Sequence, residues 1–347
     1  MQMRRKMFGG PAAGRGGLWE CAMQQLAVSD ETLDSTLRGI VLVATGISIF
    51  SVQDVIIRLL SDEYSVIQIM FIRALVALVP MAMFVYWEGG FATLRTPRLW
   101  LHAVRGLLMV SSYTAYYLGL AALPIADNTA IFFVSPLVVT IFSVVFLGEK
   151  VGLRRFMAVI AGFVGVLVIV QPGSGTFGIA AILPLMAAVT YSGSIMITRR
   201  LGRTQTGASM AFYAMIMFLI TSSCAGMVLG DGGYATDSHL SLGFLLRGWQ
   251  IPGLRDLLLL ILCGLIAACG FYCLSQGYRV AQASIVAPFE YVSMPIAVIW
   301  GIAIWDEVPR LTTVVGIALI VTNGLYVLHR ESVRGRRLVT GRGRIRL

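Results

Sequence analysis

Residues 101–153 read LHAVRGLLMVSSYTAYYLGLAALPIADNTAIFFVSPLVVTIFSVVFLGEKVGL, and residues 259–311 read LLILCGLIAACGFYCLSQGYRVAQASIVAPFEYVSMPIAVIWGIAIWDEVPRL. A shift of 158 positions lays Leu101, Gly106, Leu107, Gly119, Val134, Ser135, Ile141, Glu149 and Leu153 on Leu259, Gly264, Leu265, Gly277, Val292, Ser293, Ile299, Glu307 and Leu311. The register needs no gap. Both stretches are apolar, so the chain repeats a membrane-sized unit, the mark of membrane proteins built from two halves around a central site.

Composition agrees. Residues of the AVILMFWYC set make up 57% of the chain and charged residues 13%, against about 25% charged in a soluble domain. Water does not hold that much apolar surface in solution, so the solvent of this fold is lipid. The five cysteines (Cys21, Cys224, Cys263, Cys269, Cys273) have no metal-ligand spacing, and four lie in apolar runs as small filler. No disulfide, metal or cofactor is expected. The net charge of +10 raises nucleic-acid binding. The basic residues fall between and beyond apolar segments, however, and do not alternate with stacking aromatics on a soluble module.

A membrane helix needs about 20 mostly apolar residues to cross ~30 Å of hydrocarbon. Ten segments qualify: 38–60, 66–87, 99–120, 124–147, 152–171, 177–198, 207–229, 256–277, 283–305 and 311–328. Turn residues or charges separate them, such as Ser61-Asp62-Glu63 and Gln171-Pro172-Gly173. Five spans per repeat is odd, so the second copy enters the bilayer from the opposite face. The expected fold is an all-α polytopic membrane protein, with ten transmembrane helices in two inverted five-helix repeats. Residues 1–37 read as a disordered cytoplasmic lead, 38–171 and 177–329 as the repeats, and 330–347 as an Arg-rich tail against anionic headgroups. With the N-terminus cytoplasmic, 21 Lys and Arg fall on inner segments and 4 on outer ones (Arg58, Arg247, Arg255, Arg310). Both termini are therefore expected inside. The outer loop 230–255 carries Leu242, Phe244, Leu245, Leu246 and Trp249, which suit an interfacial segment or a lid. Ala158, Ala161, Gly162 and Gly165 form a small-residue stripe for close helix packing, with a homodimer contact as the alternative.

In detail the chain resembles the drug/metabolite transporter superfamily, in its ten-helix EamA branch. The matching stretches are Gln68 with Phe71-Ile72-Arg73, Arg105-Gly106, Asn128–Pro136 (NTAIFFVSP), Leu147–Lys150 (LGEK), Ala287–Tyr291 (APFEY) and Asp306–Pro309 (DEVP). Their order covers residues 38–330. Asp306 stands where the family's second copy more usually has glycine. The resemblance implies secondary transport of a small metabolite across a bacterial inner membrane, through a cavity lined by both repeats.

An ionised side chain at a helix centre costs at least ~2.5–3.5 kcal/mol, so each needs a reason. At 1.5 Å per residue, Asp54 and Arg73 lie ~9 and ~10 Å deep from the outer side. An ion pair between spans 1 and 2, or contact with an anionic part of a substrate, is expected of them. Arg105 and Glu290 lie ~9 and ~10 Å from the inner side, in different repeats. Each is present in one copy only, since the 158-residue shift lays Arg105 on Cys263 and Phe132 on Glu290. Either a cross-link between halves or specific chemistry follows. Pro288 frees a backbone acceptor beside Glu290, a setting suited to ion or substrate coordination and to proton coupling. Tyr113, Tyr291 and Trp300 lie mid-span, and with Asn128 they are candidates to line a cavity for a heterocyclic metabolite. Tyr116, Tyr117, Tyr191 and Tyr272 are further ones. His102 reads as interfacial, with a proton relay as the alternative.

These features point to a secondary transporter of an amino-acid-, nucleoside- or vitamin-like metabolite, with a zwitterion or anion favoured by the two arginines. An intramembrane enzyme is the alternative from another class, but H-E-x-x-H and G-x-S-x-G are absent and the chain has three histidines. A non-transporting assembly or sensor subunit would not require four buried charges. No nucleotide-binding G-x-x-x-x-G-K-[ST] loop exists, which excludes a primary pump in this chain. A reporter fused after Arg330 should read cytoplasmic and one inserted near Ser238 external; both on one side would refute the ten-span count.

Overall fold

The computed structural model describes residues 15–147, 179–235, 238–281 and 286–319, with single positions between 157 and 168 and at 321, 322 and 326; side chains are described from Ser35 onward. Most of the expected fifth span (152–171) lies outside the described residues, as does the 330–347 tail. Among the described residues every regular element is helical. They are α1 (Arg15–Leu60), α2 (Val66–Trp87), α3 (Leu99–Ala122), α4 (Ile125–Phe132), α5 (Ser135–Leu147), α6 (Ile182–Leu201), α7 (Gly207–Leu229), α8 (Leu240–Leu246), α9 (Leu254–Val280) and α10 (Ser293–Trp305). Helical residues 311–319 follow.

Six helical segments among them are long and apolar enough to cross a membrane: Ser35–Leu60, Val66–Trp87, Ile125–Phe146, Ile182–Leu201, Gly207–Leu229 and Leu254–Val280. The chain is thus a polytopic helical membrane protein. α3 has the length but carries His102, Arg105, Ser112 and three tyrosines, all but Tyr113 buried inside the bundle. α1 begins at Arg15, so the lead expected to be disordered over 1–37 is helical from there. Residues 18–37 contain neither Gly nor Pro, and nothing in them stops a helix from extending upstream of the span.

Each long helix of the first half packs on the second half. α1 runs along α9, α2 on α7 and α9, and α3 on α6 and α7. The pattern is unchanged when α1, α2 and α3 are exchanged for α6, α7 and α9. A second offset, of 141, makes the relation explicit for the first helices of each half: it lays Arg58, Leu60, Phe71 and Leu78 on Arg199, Leu201, Phe212 and Leu219. It also lays one helix N-cap on the other, Ser65, whose hydroxyl accepts from Ile67 N, on Thr206, which accepts from Ser209 N. Contacts obey both offsets. A Cβ on Gly106 of α3 would lie 2.5 Å from Met217 Cβ of α7, and one on its copy Gly264 of α9 would lie 2.5 Å from Val76 Cβ of α2. Val76 and Met217 are themselves 141 apart.

Two apolar spans are broken at matching register. α4 stops at Phe132 and α5 starts at Ser135, because Pro136 has no N–H to give the preceding turn. In the second half a 3-10 turn over Ala287–Val292 precedes α10, with Pro288 and Pro295 nearby. The 158-residue shift lays the start of α5 on the start of α10. At the far end of α10, Asp306 takes a left-handed conformation (φ 53°). That region favours glycine but tolerates aspartate, which accounts for the departure from the family pattern.

The loop expected at the interface or as a lid holds α8, and it is seated on the protein. Ser241 Oγ donates to Leu118 O (2.7 Å), Ser65 Oγ to Leu245 O (3.2 Å) and Arg247 to Ser61 O (2.7 Å). Leu240 and Leu242 of the same helix remain exposed.

The α1–α9 seam is a close contact: a Cβ on Gly277 would lie 2.5 Å from Val43 Cγ2 and 3.0 Å from Gly39 O. Gly277→Val should therefore destabilise the fold by about 1–3 kcal/mol, the usual cost of overpacking, seen as a lower melting temperature in detergent.

Candidate substrate cavity

Gln53 and Asp54 are neighbours on α1, and a helix turns about 100° per residue, so they face different partners. Gln53 points toward α2, α3 and α9. With its amide oxygen turned to the guanidinium, it accepts from Arg73 (3.0 Å) and Tyr117 (2.5 Å) and donates to Cys263 O (3.1 Å). Asp54 accepts from Tyr116 Oη of α3 (3.1 Å), whose oxygen also meets Thr129 Oγ1 of α4 (3.1 Å).

Asp54 opens onto a cavity of about 70 Å3 between the halves. Its walls are Phe50 and Ile47 of α1, Ser112, Tyr113 and Tyr116 of α3, Thr129, Phe132 and Phe133 around the α4 break, Tyr191 of α6, Leu274 of α9 and Ser293 of α10. Repeat-related positions meet here. The 141 offset lays Phe50 on Tyr191, and the 158 offset lays Tyr116 on Leu274 and Tyr113 on Phe271, whose ring centroid is 5.2 Å from that of Tyr113. The cavity thus sits where the two halves exchange. Its size admits a few waters and no metabolite.

The expected Asp54–Arg73 ion pair does not form within 4 Å: among the described residues the ion pair found is Arg58–Glu307. Arg73 is fully buried behind the cavity wall, its Cζ 5.3 Å over the Tyr113 ring and 4.9 Å over Phe218. Among the described residues its Nε and Nη2 have no hydrogen-bond partner. Neither does the expected Arg105–Glu290 pair form. Arg105 does reach the second half, but through uncharged groups: Nε donates to Thr198 Oγ1 (2.6 Å), Nη1 to Met210 O (2.7 Å) and Nη2 to Ser275 Oγ (3.2 Å). Glu290, in the 3-10 turn, accepts from Tyr191 Oη (2.7 Å) and from Tyr278 Oη. Those two tyrosines border the recess that holds Arg105 and stand between it and the acid.

The other expected residues divide. Tyr113 lines the cavity, as Asp54 does. Asn128 is buried just outside it, its amide nitrogen donating to Tyr116 O (3.2 Å) and so fixing the backbone of a wall residue. Trp300 reaches Ser51 Oγ (3.5 Å) on α1, away from the lining. The side chain of Tyr291 lies outside the described residues. His102, expected near the interface, is buried with its ring 4.4 Å from that of Tyr213.

Polar ties join the halves at both ends of the bundle. At one, Arg58 of α1 makes two hydrogen bonds to Glu307 (2.8 and 2.5 Å) and lies 4.4 Å over the Trp305 ring, and Glu307 also accepts from Ile125 N (3.4 Å) at the start of α4. At the other, Glu88 after α2 accepts from Ala208 N (2.9 Å), Tyr272 Oη (3.0 Å) and Gln276 of the second half. Neither tie was among the sequence candidates. Glu307 stood in the repeat register and Arg58 among the loop charges, and only the fold brings them together.

The profile of the EamA-like transporter family matches the chain twice, over residues 37–171 and 178–328. A riboflavin transporter of Rhizobium johnstonii is 30% identical over 272 residues, covering 74% of this chain and 84% of the relative. An S-adenosylmethionine uptake transporter of Rickettsia prowazekii is 24% identical over 87% of this chain and 96% of its own, and a pseudopaline exporter of Pseudomonas aeruginosa is 26% identical over 83% and 95%. A solved crystal structure superposes with a TM-score of 0.59 at 17% identity, covering 89% of this chain and 99% of that one, which shows a shared fold.

The Arg58–Glu307 tie is two-pronged, with side chains 14% and 27% exposed. Arg58→Gln and Glu307→Gln should each destabilise the protein, and the double variant should lose less than the sum. A coupling energy of about 1 kcal/mol is expected for a well-formed pair in this setting, checked by a double-mutant cycle on thermal unfolding in detergent.

Proposed function

We propose that this chain, which belongs to the EamA-like transporter family, carries a small planar metabolite across a bacterial inner membrane by alternating access to the cavity between its halves. The carrying observation is that repeat-related positions, Phe50 with Tyr191 and Tyr116 with Leu274, face one cavity. Two halves of like sequence and opposite membrane orientation have two equivalent ways of leaning on each other, and a site at their junction then opens to one side or the other. Relatives named for riboflavin and S-adenosylmethionine support a cargo with a flat ring system. The aromatic walls suit such a cargo, since flat rings stack on flat rings.

The two ties belong to this cycle. With the N-terminus cytoplasmic, Arg58–Glu307 closes the outer mouth and the Glu88 and Arg105 contacts close the inner one. Opening a mouth exchanges hydrogen bonds between halves for hydrogen bonds to water, a modest net cost per bond of about 1 kcal/mol. Binding energy at the cavity is enough to bias such an equilibrium.

Without a nucleotide site, accumulation must draw on a gradient, and Glu290 is our candidate for the proton-coupling group. It is buried in a non-α-helical turn, held by two tyrosine hydroxyls that each accept or donate as its protonation changes, and has no cation within 4 Å among the described residues. In proteoliposomes loaded with riboflavin or S-adenosylmethionine in separate trials, the wild-type chain should exchange at least one of them and accumulate it under a pH gradient. Glu290→Gln, close in shape and fixed in charge, should express near wild-type levels, abolish pH-driven accumulation and spare exchange. Unchanged pH-driven uptake in that variant would remove Glu290 from coupling.

A further inference from the structure

We infer that the cavity recognises a cation: its cargo carries a positively charged group beside a planar ring, with Asp54 as counter-ion. This rests on the transport reading for the word cargo, but the recognition chemistry stands on the cavity itself. Among the described residues that line it, Asp54 is the one charged side chain. Its Oδ2 accepts from Tyr116, while Oδ1 has no hydrogen-bond partner among the described residues and is left for a donor. Both arginines that favoured an anionic cargo at the level of sequence are withdrawn from this space. All three Arg105 nitrogens are spent on Thr198, Met210 O and Ser275. Arg73 stands behind the Tyr113 ring and is not part of the lining. An anion placed here would meet Asp54 with no opposing cation on the wall.

The rest of the lining fits the same reading. Phe50, Tyr113, Tyr116, Phe132, Phe133 and Tyr191 present ring faces and edges around one carboxylate. Ring faces attract cations through their quadrupole, and the attraction grows where water is excluded. This protein already uses that interaction on one of these rings, with the Arg73 guanidinium over Tyr113. Arg73 opposes a second cation, but only through an intervening ring, whereas Asp54 meets the cargo at hydrogen-bond range, where Coulomb attraction is greatest. An acid ringed by aromatics accepts an ammonium, a sulfonium or an N-alkylated heterocycle.

The test uses one ring in three charge states: 1-methylnicotinamide (cation), nicotinamide (neutral) and nicotinate (anion), titrated by calorimetry against the full chain in detergent. The cation should bind about tenfold more tightly than the neutral ring, with the anion weakest. Asp54→Asn should bring cation and neutral ring to within about twofold, and Asp54→Glu should keep the original order. Tyr116→Phe, which keeps the acid and removes its hydroxyl partner, should also keep the order and serves if Asp54→Asn does not fold. Equal binding of the three, binding of none, nicotinate ranked first, or a cation preference that survives Asp54→Asn would each overturn the inference. Transport is scored separately in proteoliposomes. A chain that ranks the cation first yet moves no solute refutes the transport reading alone, and one that exchanges riboflavin yet ranks nicotinate first refutes the charge assignment alone.

Discussion

A guanidinium in a bilayer must find its acceptors inside the protein, because lipid offers none. Arg105 finds all of its acceptors in the other half of the molecule, on three helices: Thr198 of α6, Met210 O of α7 and Ser275 of α9. That constraint fixes the depth and rotation of α3 against the second half, and α3 supplies Ser112, Tyr113 and Tyr116 to the cavity. Met210 can serve because its carbonyl lies in the first turn of α7, with its oxygen free to take a side-chain donor as well as the helix bond. Arg73 meets the same constraint differently, with one nitrogen on oxygen acceptors and the cation resting on rings. Neither needs a carboxylate. The acids are thereby released from structural neutralisation, and among the described residues Asp54 and Glu290 are held by tyrosine hydroxyls alone.

Much of this was legible in the chain. Duplication survives because close helix contacts demand glycine: Gly106 and Gly264 keep the register since a side chain at either would collide with α7 or α2. The 141 offset of the first two helices was harder to see, as few identities survive where walls differ, as at Phe50 and Tyr191. The two ion pairs expected from depth failed for a reason of dimension. Rise per residue gives depth, but pairing also needs azimuth, and adjacent residues such as Gln53 and Asp54 point about 100° apart. At equal depth, Gln53 took Arg73 and Asp54 took Tyr116. Between Arg105 and Glu290 the obstacle was two tyrosines, Tyr191 and Tyr278, from helices whose facing no single-span pattern defines. The helical lead from Arg15 was missed because polarity was read as disorder, where the absence of Gly and Pro was the better guide.

What the halves share and what they do not divides scaffold from chemistry. Shared positions include glycines such as Gly106 and Gly264 and the helix caps at Ser65 and Thr206: they let two copies fold alike and meet on one axis. The charges inside the membrane break the relation. Asp54 corresponds to Ile195 and Arg73 to Ala214 by the 141 offset, and Arg105 to Cys263 and Glu290 to Phe132 by the 158 offset. A symmetric cavity bearing a charge on each half would face a cargo identically from both sides, and would give it two equivalent poses. Under the proposed cation recognition, one acid among rings would define a single pose, with the charged end of the cargo at α1 and its flat face toward Phe132 and Tyr191. Glu290 occupies the position that Phe132 holds in the other copy, so the second acid lies at the mirror of the aromatic wall rather than opposite Asp54. In the proposed cycle the two-fold exchange serves motion, and its residue-by-residue breaking serves recognition.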